Sequence, residues 1–180
     1  MIRDLIEKTR SYRRFHQDFK IELETLKELV ELARLSAAAG NLQPLKYMLA
    51  NDPEKNDTIF PNLGWAGYLK DWPGPGEGER PSAYVIVLGD KRICKSFGCD
   101  HGIASQNNLL GAVETGLGGC MIGSVNRERL RKDLDISDHF EILLVLALGK
   151  PKESVVLEEV GPDGNIKYWR DSDGVHHVPK

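Results

Sequence analysis

Apolar residues recur at helical spacing near the start of the chain. Ile2, Leu5 and Ile6 predict a short helix, after which the basic run at 10–15 breaks the pattern. A second amphipathic helix is predicted to end near Gly40, since glycine tolerates the left-handed backbone common at a helix C-terminus. The apolar positions of this second helix are Leu26, Leu29, Val30, Ala33 and Ala37. We therefore expect a helix, a cationic loop and a second helix, in that order.

Two continuous apolar runs predict strands that are buried on both faces. They cover residues 83–88 and 142–148, and each is bounded by polar or turn-forming residues. Turn signals at 162–165 and 171–174 divide the C-terminal part into further short strands.

The region between the apolar runs predicts two more helices. Asp100 is expected to cap a long helix that stops at Gly116, residues 118–125 to form a loop leading into a strand, and Asn126 to cap a helix through Leu134. Helices precede, separate and follow the strands without regular strand–helix–strand alternation. This order predicts an α+β fold, an α-β-α sandwich with helices around a small mixed β-sheet.

Length and composition indicate one domain, residues 1–180, which at this size should bury roughly 70% of its unfolded surface. Hydrophobic residues make up 41% and charged residues 28%, with a formal net charge of -3, which disfavours a disordered chain and a polybasic nucleic-acid binder. The N-terminus carries acids, and no apolar run reaches the roughly 18 residues of a membrane span. No nucleic-acid or membrane partner is predicted, and a cytoplasmic location is expected.

Residues that often bind metals or phosphate lack the required arrangement here. The three cysteines include no Cys-x-x-Cys pair, so no metal site is predicted. His176 and His177 would point to opposite faces of an extended segment, which favours a surface hairpin over a shared metal. The glycine-rich run at 116–119 follows a helix and opens a strand, the reverse of a Rossmann loop.

A basic cluster and an aromatic group each allow two interpretations. Arg10, Arg13 and Arg14 surround Ser11 and could bind phosphate or carbonyl oxygens, but such a cluster is also typical of a solvated face. The Pro- and Gly-rich segment 52–81 contains several aromatic residues, which either pack internally or border a site. The residues alone leave both questions open.

Five short segments follow one another along nearly the whole chain. They are Arg-Ser-Tyr-Arg-Arg-Phe at 10–15, Ala-Gly-Asn-Leu-Gln-Pro at 39–44, Asp-His-Gly-Ile-Ala at 100–104, Gly-Leu-Gly-Gly-Cys-Met-Ile-Gly at 116–123 and Ala-Leu-Gly-Lys-Pro at 147–151. No single segment is decisive, but their ordered conjunction resembles the nitroreductase family of FMN-dependent NAD(P)H oxidoreductases.

This resemblance implies a non-covalent FMN site. Arg10 and Ser11 would contact the phosphate and ribityl side, and Arg13 would stabilise the reduced flavin near N1. Hydride would pass at the flavin N5, with no protein acid or base assigned as a catalytic group. Further cofactor contacts are implied for Ala37, Ala38, Ala39, Asn41, Gln43, Met121, Ile122, Gly123, Ser124, Arg170 and Lys180.

The chain departs from the family pattern at one place. Relatives usually carry Pro-Ser-Ala-Gly-Asn where this chain has Ala-Ala-Ala-Gly-Asn at 37–41, so a hydroxyl contact is lost at Ala38 and FMN should bind about 1 kcal/mol more weakly. Gly123 would let the backbone approach the flavin, although a packing role is the alternative. By the same resemblance, the substrate space is bordered by Trp65, Tyr68 and Leu69.

The family resemblance also implies an assembly and a reaction. In a homodimer, the arginine motif of one subunit and the 39–44 segment of the other would reach the same FMN. Hydride would pass from NAD(P)H through FMN to a nitroaromatic, quinone or similar small-molecule acceptor by a ping-pong mechanism. A non-catalytic flavin-binding protein for storage or redox sensing is the alternative that the sequence leaves open.

Overall fold

The main β-sheet has five strands, and all of its pairings are antiparallel. In the computed structural model, which describes residues 1–180, the strands are β1 (Phe15–His16), β2 (Leu45–Ala50), β3 (Ala83–Asp90), β4 (Gly118–Ile122) and β5 (Phe140–Pro151). β5 lies between β3 and β4, β2 pairs with the other edge of β3, and β1 pairs with the last two residues of β5. The two apolar runs therefore form the central strands, as predicted.

Helices cover both faces of this sheet. They are α1 (Ile2–Lys8), α2 (Leu23–Arg34), α3 (Pro53–Ile59), α4 (Asp100–Glu114) and α5 (Arg127–Asp133), and short 3₁₀ turns span Ala39–Asn41 and Phe60–Asn62. α2 and α4 pack on the face that carries Val85, Val87 and Leu146, and α3 and α5 on the face that carries Ile86 and Val145. Because side chains alternate along a strand, each central strand supplies both cores. The predicted α-β-α arrangement is confirmed.

Three local predictions were wrong in detail. α2 ends at Arg34, and Gly40 (φ 57°) belongs to the separate 3₁₀ turn that follows. The segment 118–125 was expected to begin as a loop, but β4 starts at Gly118 itself. Asp100 does not cap α4. Its buried carboxylate instead accepts hydrogen bonds from the backbone N–H of Ala39 at 3.1 and 3.2 Å.

The C-terminal residues form a separate three-stranded sheet of mixed pairing. Its strands are β6 (Val155–Glu158), β7 (Trp169–Arg170) and β8 (His176–Pro179), with β8 parallel to β6 and antiparallel to β7. The two histidines do face opposite sides, but His176 is only 1% exposed, so the surface hairpin was wrong for that residue. It is buried because this sheet lies against the basic loop.

Two large-scale features of the helices and side chains also bear on function. None of the helices has the length and apolar character needed to cross a membrane. His, Cys, Asp and Glu side chains form no group of three or more arranged to hold a metal ion.

Candidate functional site

The basic loop at 10–15 lies beside the start of β4. Ser11 forms a bridge with Gly119, and the Tyr12 N–H donates to the Gly119 carbonyl at 3.0 Å. A Cβ on Gly118 would lie 2.6 Å from the Tyr12 ring, and one on Gly119 would lie 2.7 Å from a backbone oxygen of β5. Both glycines therefore permit a close approach that a side chain would prevent. The loop and β4 form one continuous surface.

The guanidinium of Arg13 is buried in this surface among neutral groups. Its Nη1 donates to the Ser11 carbonyl at 3.2 Å and lies 3.2 Å from Nε2 of His176, while the guanidinium stands over the Tyr168 ring at 4.8 Å. Arg13 is 9% exposed. No carboxylate pairs with its guanidinium, which is unusual for a buried arginine because a buried charge normally needs a partner.

Glu153 fixes the backbone of the same loop. Its fully buried carboxylate accepts hydrogen bonds from the backbone N–H groups of Arg13 and of Arg14, the latter at 3.0 Å. Its other oxygen accepts from Nη2 of Arg170 at 2.8 Å. One buried carboxylate thereby ties the basic loop to β7.

The other two arginines of the cluster have different partners. Arg14 makes a bidentate pair with Glu79, with both N–O distances 2.6 Å, and this contact, joined by Lys152, lowers the pKa of Glu79 to about 2. Arg10 donates from Nη2 to the Ile6 carbonyl at 2.7 Å, but its Nε is buried with no partner. Of the predicted anion-binding arginines, Arg10 therefore retains an unused donor.

The end of β4 is held against the 3₁₀ turn at Phe60–Asn62. Leu63 forms a bridge with Val125, and the Gly64 N–H donates to the Ser124 carbonyl at 2.7 Å. A Cβ on Gly123 would meet no atom within 4 Å. The packing of this chain therefore does not require a glycine at position 123, which argues against the packing interpretation.

Residues 65–69, the aromatic segment that follows this turn, border the Arg13 surface, which is the surface that the basic loop and β4 form around Arg13. The Tyr68 ring lies 4.9 Å from the Tyr168 ring, and the Tyr68 N–H donates to the Tyr168 hydroxyl at 3.3 Å. Trp65 packs against Phe60 at 5.7 Å. Leu69 is half-buried next to them. Tyr68 thus reaches the same C-terminal residues that cover Arg13, whereas Trp65 packs locally.

The predicted 37–43 contacts lie at the opposite edge of the sheet. They precede β2, which is separated from β4 by β3 and β5, so three strand spacings of roughly 4.8 Å, about 14 Å in total, divide the two regions. Asn41 and Gln43 are exposed and adopt left-handed backbone with φ of 52°. Within one chain, the structure does not bring these residues together with Arg13.

This fold and the ordered motifs match a known family model. The model of the nitroreductase family matches residues 6–68 and 83–150. The chain belongs to the nitroreductase family. As a member of this family, the chain is an oxidoreductase. The family assignment agrees with the resemblance that the five sequence segments indicated.

Individual relatives share the sequence or the fold over most of their length. A protein of Archaeoglobus fulgidus named "Putative NADH dehydrogenase/NAD(P)H nitroreductase" is 27% identical over 153 residues, covering 81% of this chain and 83% of that protein. A nitroreductase family protein of Streptococcus pneumoniae has a TM-score of 0.73 at 16% identity, covering 91% of this chain and 96% of that one. An FMN-dependent nitroreductase of Clostridium difficile has a TM-score of 0.68 at 21% identity, covering 86% and 89%.

Two longer segments of this chain lie outside the family match, and they contact each other. These are residues 69–82 and 151–180. Arg170 stands over the Trp72 ring at 4.7 Å, and Lys152 pairs with Glu79 at 3.3 Å. The C-terminal sheet and the aromatic segment therefore cover the basic loop together.

Some predicted contacts are not brought to the Arg13 surface. Lys180 directly follows β8, and its N–H donates to the Glu158 carbonyl at 2.9 Å. Four residues of extended chain, roughly 13 Å, separate it from His176.

A cavity of about 520 Å³ lies elsewhere, between residues 17–22, the start of α3 and residues 80–84. It contains none of the predicted contacts and has more carboxylates than cations in its lining.

Three residues of the Arg13 surface were missed by the sequence reasoning, namely Glu153, Tyr168 and His176. Glu153 follows the Ala-Leu-Gly-Lys-Pro segment and could have been noted as a carboxylate close to a family motif. For His176, the sequence favoured a surface hairpin over a shared metal and gave no contact with Arg13. Each reaches Arg13 across more than 130 residues of chain, and no local pattern reports such a contact.

Proposed function

We propose that this chain is an FMN-dependent oxidoreductase that passes hydride from NAD(P)H to a small organic acceptor, such as a nitroaromatic or quinone, in a ping-pong cycle at one site. The observation that carries the proposal is the buried guanidinium of Arg13, which has no counter-ion. Arg13 belongs to the basic loop, which lies beside β4, and family motifs occupy both the loop and the strand. The Clostridium difficile protein of similar fold, whose name states FMN dependence, supports the choice of cofactor.

The unpaired groups on this surface fit such a cofactor. Nε of Arg10 and Nε of Arg170 are buried without hydrogen-bond partners, and both would suit anionic or carbonyl oxygens. The free space at Gly123 would admit a flat ring close to the backbone. When bound, FMN would supply a two-electron carrier that accepts hydride from NAD(P)H and donates it to the acceptor.

The residues of this chain would bind and stabilise that carrier. Arg10 and Ser11 would hold the phosphate and ribityl side, and the backbone from Met121 through Ile122 to Ser124 would follow the ring edge. A guanidinium is a permanent cation in proteins, so the charge of Arg13 would stabilise negative charge that develops on reduction. No proton transfer from the protein is needed for this step.

A second copy of the chain would complete the site. Ala37, Ala38, Ala39, Asn41 and Gln43 precede β2, which lies about 14 Å from β4 by three strand spacings, but a partner subunit could present them at the site. Apolar side chains are exposed on α1, α2 and α4 and next to that segment, namely Ile2, Ile6, Leu32, Leu35, Leu42 and Ile103. We infer a homodimer that buries this apolar face and shares two FMN sites between its subunits.

The acceptor would lie against the aromatic segment. Trp65, Tyr68 and Leu69 follow the turn that holds Ser124, and Tyr68 is 51% exposed. An exposed aromatic side chain next to the edge of the flavin ring would suit a planar acceptor, because aromatic rings stack favourably.

Anaerobic reduction tests this function directly. The purified protein should carry FMN, identified by mass spectrometry of the released cofactor, and NADH or NADPH should bleach its visible absorbance in the absence of oxygen. Adding a quinone or nitroaromatic should restore the absorbance. A bound flavin that neither nucleotide reduces would favour the storage or redox-sensing alternative, and FAD or haem in place of FMN would overturn the cofactor assignment.

A further inference from the structure

Three arginines meet at the C-terminal sheet, and their charges have different fates. Arg14 pairs with Glu79 and Arg170 pairs with Glu153, each at 2.8 Å or less. Arg13 is in contact with a carbonyl, an imidazole and a phenol ring. Of these three arginines, only Arg14 and Arg170 have a carboxylate as a side-chain partner.

The imidazole of His176 must be the hydrogen-bond acceptor in this contact. A guanidinium has donors and no acceptor, so Nε2 of His176 can bind Arg13 only when that nitrogen carries no proton. Burial, with Arg13 and Arg170 nearby, lowers the pKa of His176 to about 4, which agrees with a neutral ring. The Tyr168 ring lies 5.1 Å from the His176 ring and 4.8 Å from the guanidinium, so it packs against both groups.

A carboxylate acceptor stands close by but is directed elsewhere. The Glu153 carboxylate accepts from the backbone N–H groups of Arg13 and Arg14 and from the Arg170 guanidinium, but it forms no ion pair with the Arg13 guanidinium. A charge-assisted pair of this kind would be stronger than the bond to His176, but it would offset the positive charge. His176 offers the guanidinium a different partner that carries no charge.

We propose that His176 is a positioning residue that holds Arg13 through a neutral acceptor and so keeps the guanidinium charge available to an anionic ligand, which is reduced FMN if the proposed function holds. The site would recognise its ligand through a buried cation, the Arg13 guanidinium, which has no counter-ion. Such a site favours a ligand whose negative charge increases during the reaction.

Substitutions at His176 distinguish the effect of placing a charge on the acceptor from the effect of removing the acceptor. His176→Gln keeps a neutral acceptor, His176→Glu adds a negative charge, and His176→Leu removes the acceptor. His177→Gln is the matched control, because His177 lies next in sequence but contacts Glu158 and Asp171 on the other side of β8. The readouts are the two-electron midpoint potential of bound FMN and the Kd of oxidised FMN.

The expected order follows from the charge at Arg13. His176→Glu should weaken the preference for reduced over oxidised FMN about tenfold, or roughly 30 mV in the potential. His176→Leu should move the potential in the same direction by a smaller amount. His176→Gln and His177→Gln should stay within about threefold of the wild type. If His176→Glu does not fold, the comparison of His176→Leu with His176→Gln decides.

A cofactor-free readout separates this inference from the proposed function. Long-range ¹H–¹⁵N spectra of the wild-type protein at neutral pH should show His176 neutral, with its proton on Nδ1. A protonated ring would overturn the inference whether or not FMN binds. Equal potentials in folded His176 variants would overturn it while leaving the function intact. A protein that binds no FMN but shows a neutral His176 ring would overturn the proposed function and leave the inference standing.

Discussion

The Arg13 region is held by contacts from Ser11, Glu153, Tyr168 and His176, whereas the 37–43 segment at the other sheet edge is tied to distant chain mainly through Asp100. In the first region, buried side chains fix a cation before any ligand arrives. In the second, exposed amides stand on a short turn with left-handed backbone. The contrast indicates that a single chain preorganises the charge of the proposed site, whereas the 37–43 segment, which we propose contacts the flavin of a partner subunit, presents exposed amides at the other sheet edge.

Removing Glu153 should have the largest effect, because it would dismantle the preorganised region. Glu153→Ala leaves the buried side of Arg170 and two backbone N–H groups without their acceptor, and breaking such a buried pair costs about 3–5 kcal/mol of unfolding free energy. Urea unfolding followed by circular dichroism measures the loss. Glu158→Gln, at a partly exposed carboxylate of the same sheet, is the control. A loss below about 1 kcal/mol for Glu153→Ala, in the range of a surface pair, would show that the loop does not depend on this carboxylate.

Arg13→Ala should remove the function of the preorganised region while leaving its fold. By the size of comparable electrostatic contributions, hydride transfer should slow by about 10²–10³-fold, and the flavin potential should fall, with a smaller loss of oxidised FMN affinity. Stopped-flow reduction and a redox titration measure the two effects. Arg14→Ala is the matched control, since that charge is already paired with Glu79. An unchanged potential with only weaker binding would make Arg13 a simple anchor.

Asn41 tests the other region and its dependence on a partner. Asn41→Asp keeps a residue that tolerates left-handed backbone but loses the amide donor, so FMN affinity should fall by about 1 kcal/mol, roughly fivefold. Isothermal titration with FMN measures the change. If the site is shared, diluting the wild-type dimer should also release flavin, because FMN then stabilises association.

Mixed dimers of the two variants give the decisive form of this test. Pairing an Arg13→Ala chain with an Asn41→Asp chain should restore one intact site, so that the active half of the sites binds FMN with wild-type affinity. If each chain builds its own site, every active site keeps the Asn41→Asp defect. A stable monomer that holds FMN at full affinity would rule out the shared site.

The sequence predicted those parts of the fold that local chemistry determines. The runs at 83–88 and 142–148 are central strands because a buried strand needs apolar residues on both faces. Asn126 caps α5 through a bond to the Arg129 N–H at 3.2 Å, which is a contact three residues away. The family motifs were recognised for the same reason, since each is a short segment.

The sequence could not predict which distant groups meet. Asp100 has the position of a helix cap, but it binds Ala39 across 61 residues and so fixes the turn at the second region. The alternation of His176 and His177 was read correctly, yet the face that meets Arg13 depends on how the C-terminal sheet folds back over 163 residues. Only the packing of the C-terminal sheet shows that the Arg13 guanidinium has no carboxylate partner.

The smallest predicted effect concerns His177, on the strand that carries His176. Its ring lies 3.0 Å from Glu158 and 3.2 Å from Asp171, and hydrogen bonding, to Asp171 first and then to Glu158, raises the pKa of His177 above its ordinary value of 6.5. A raised folded-state pKa means that the charged ring stabilises the folded state. This contribution is complete below the unfolded pKa and is lost as pH rises through the folded pKa. The Tm difference between wild type and His177→Gln should therefore shrink from about pH 6 to about pH 9, with His139→Gln as the exposed control. Growth of the difference over that range would mean that the ring acts on β8 as a neutral group, and the C-terminal cover of Arg13 would then not depend on this charge.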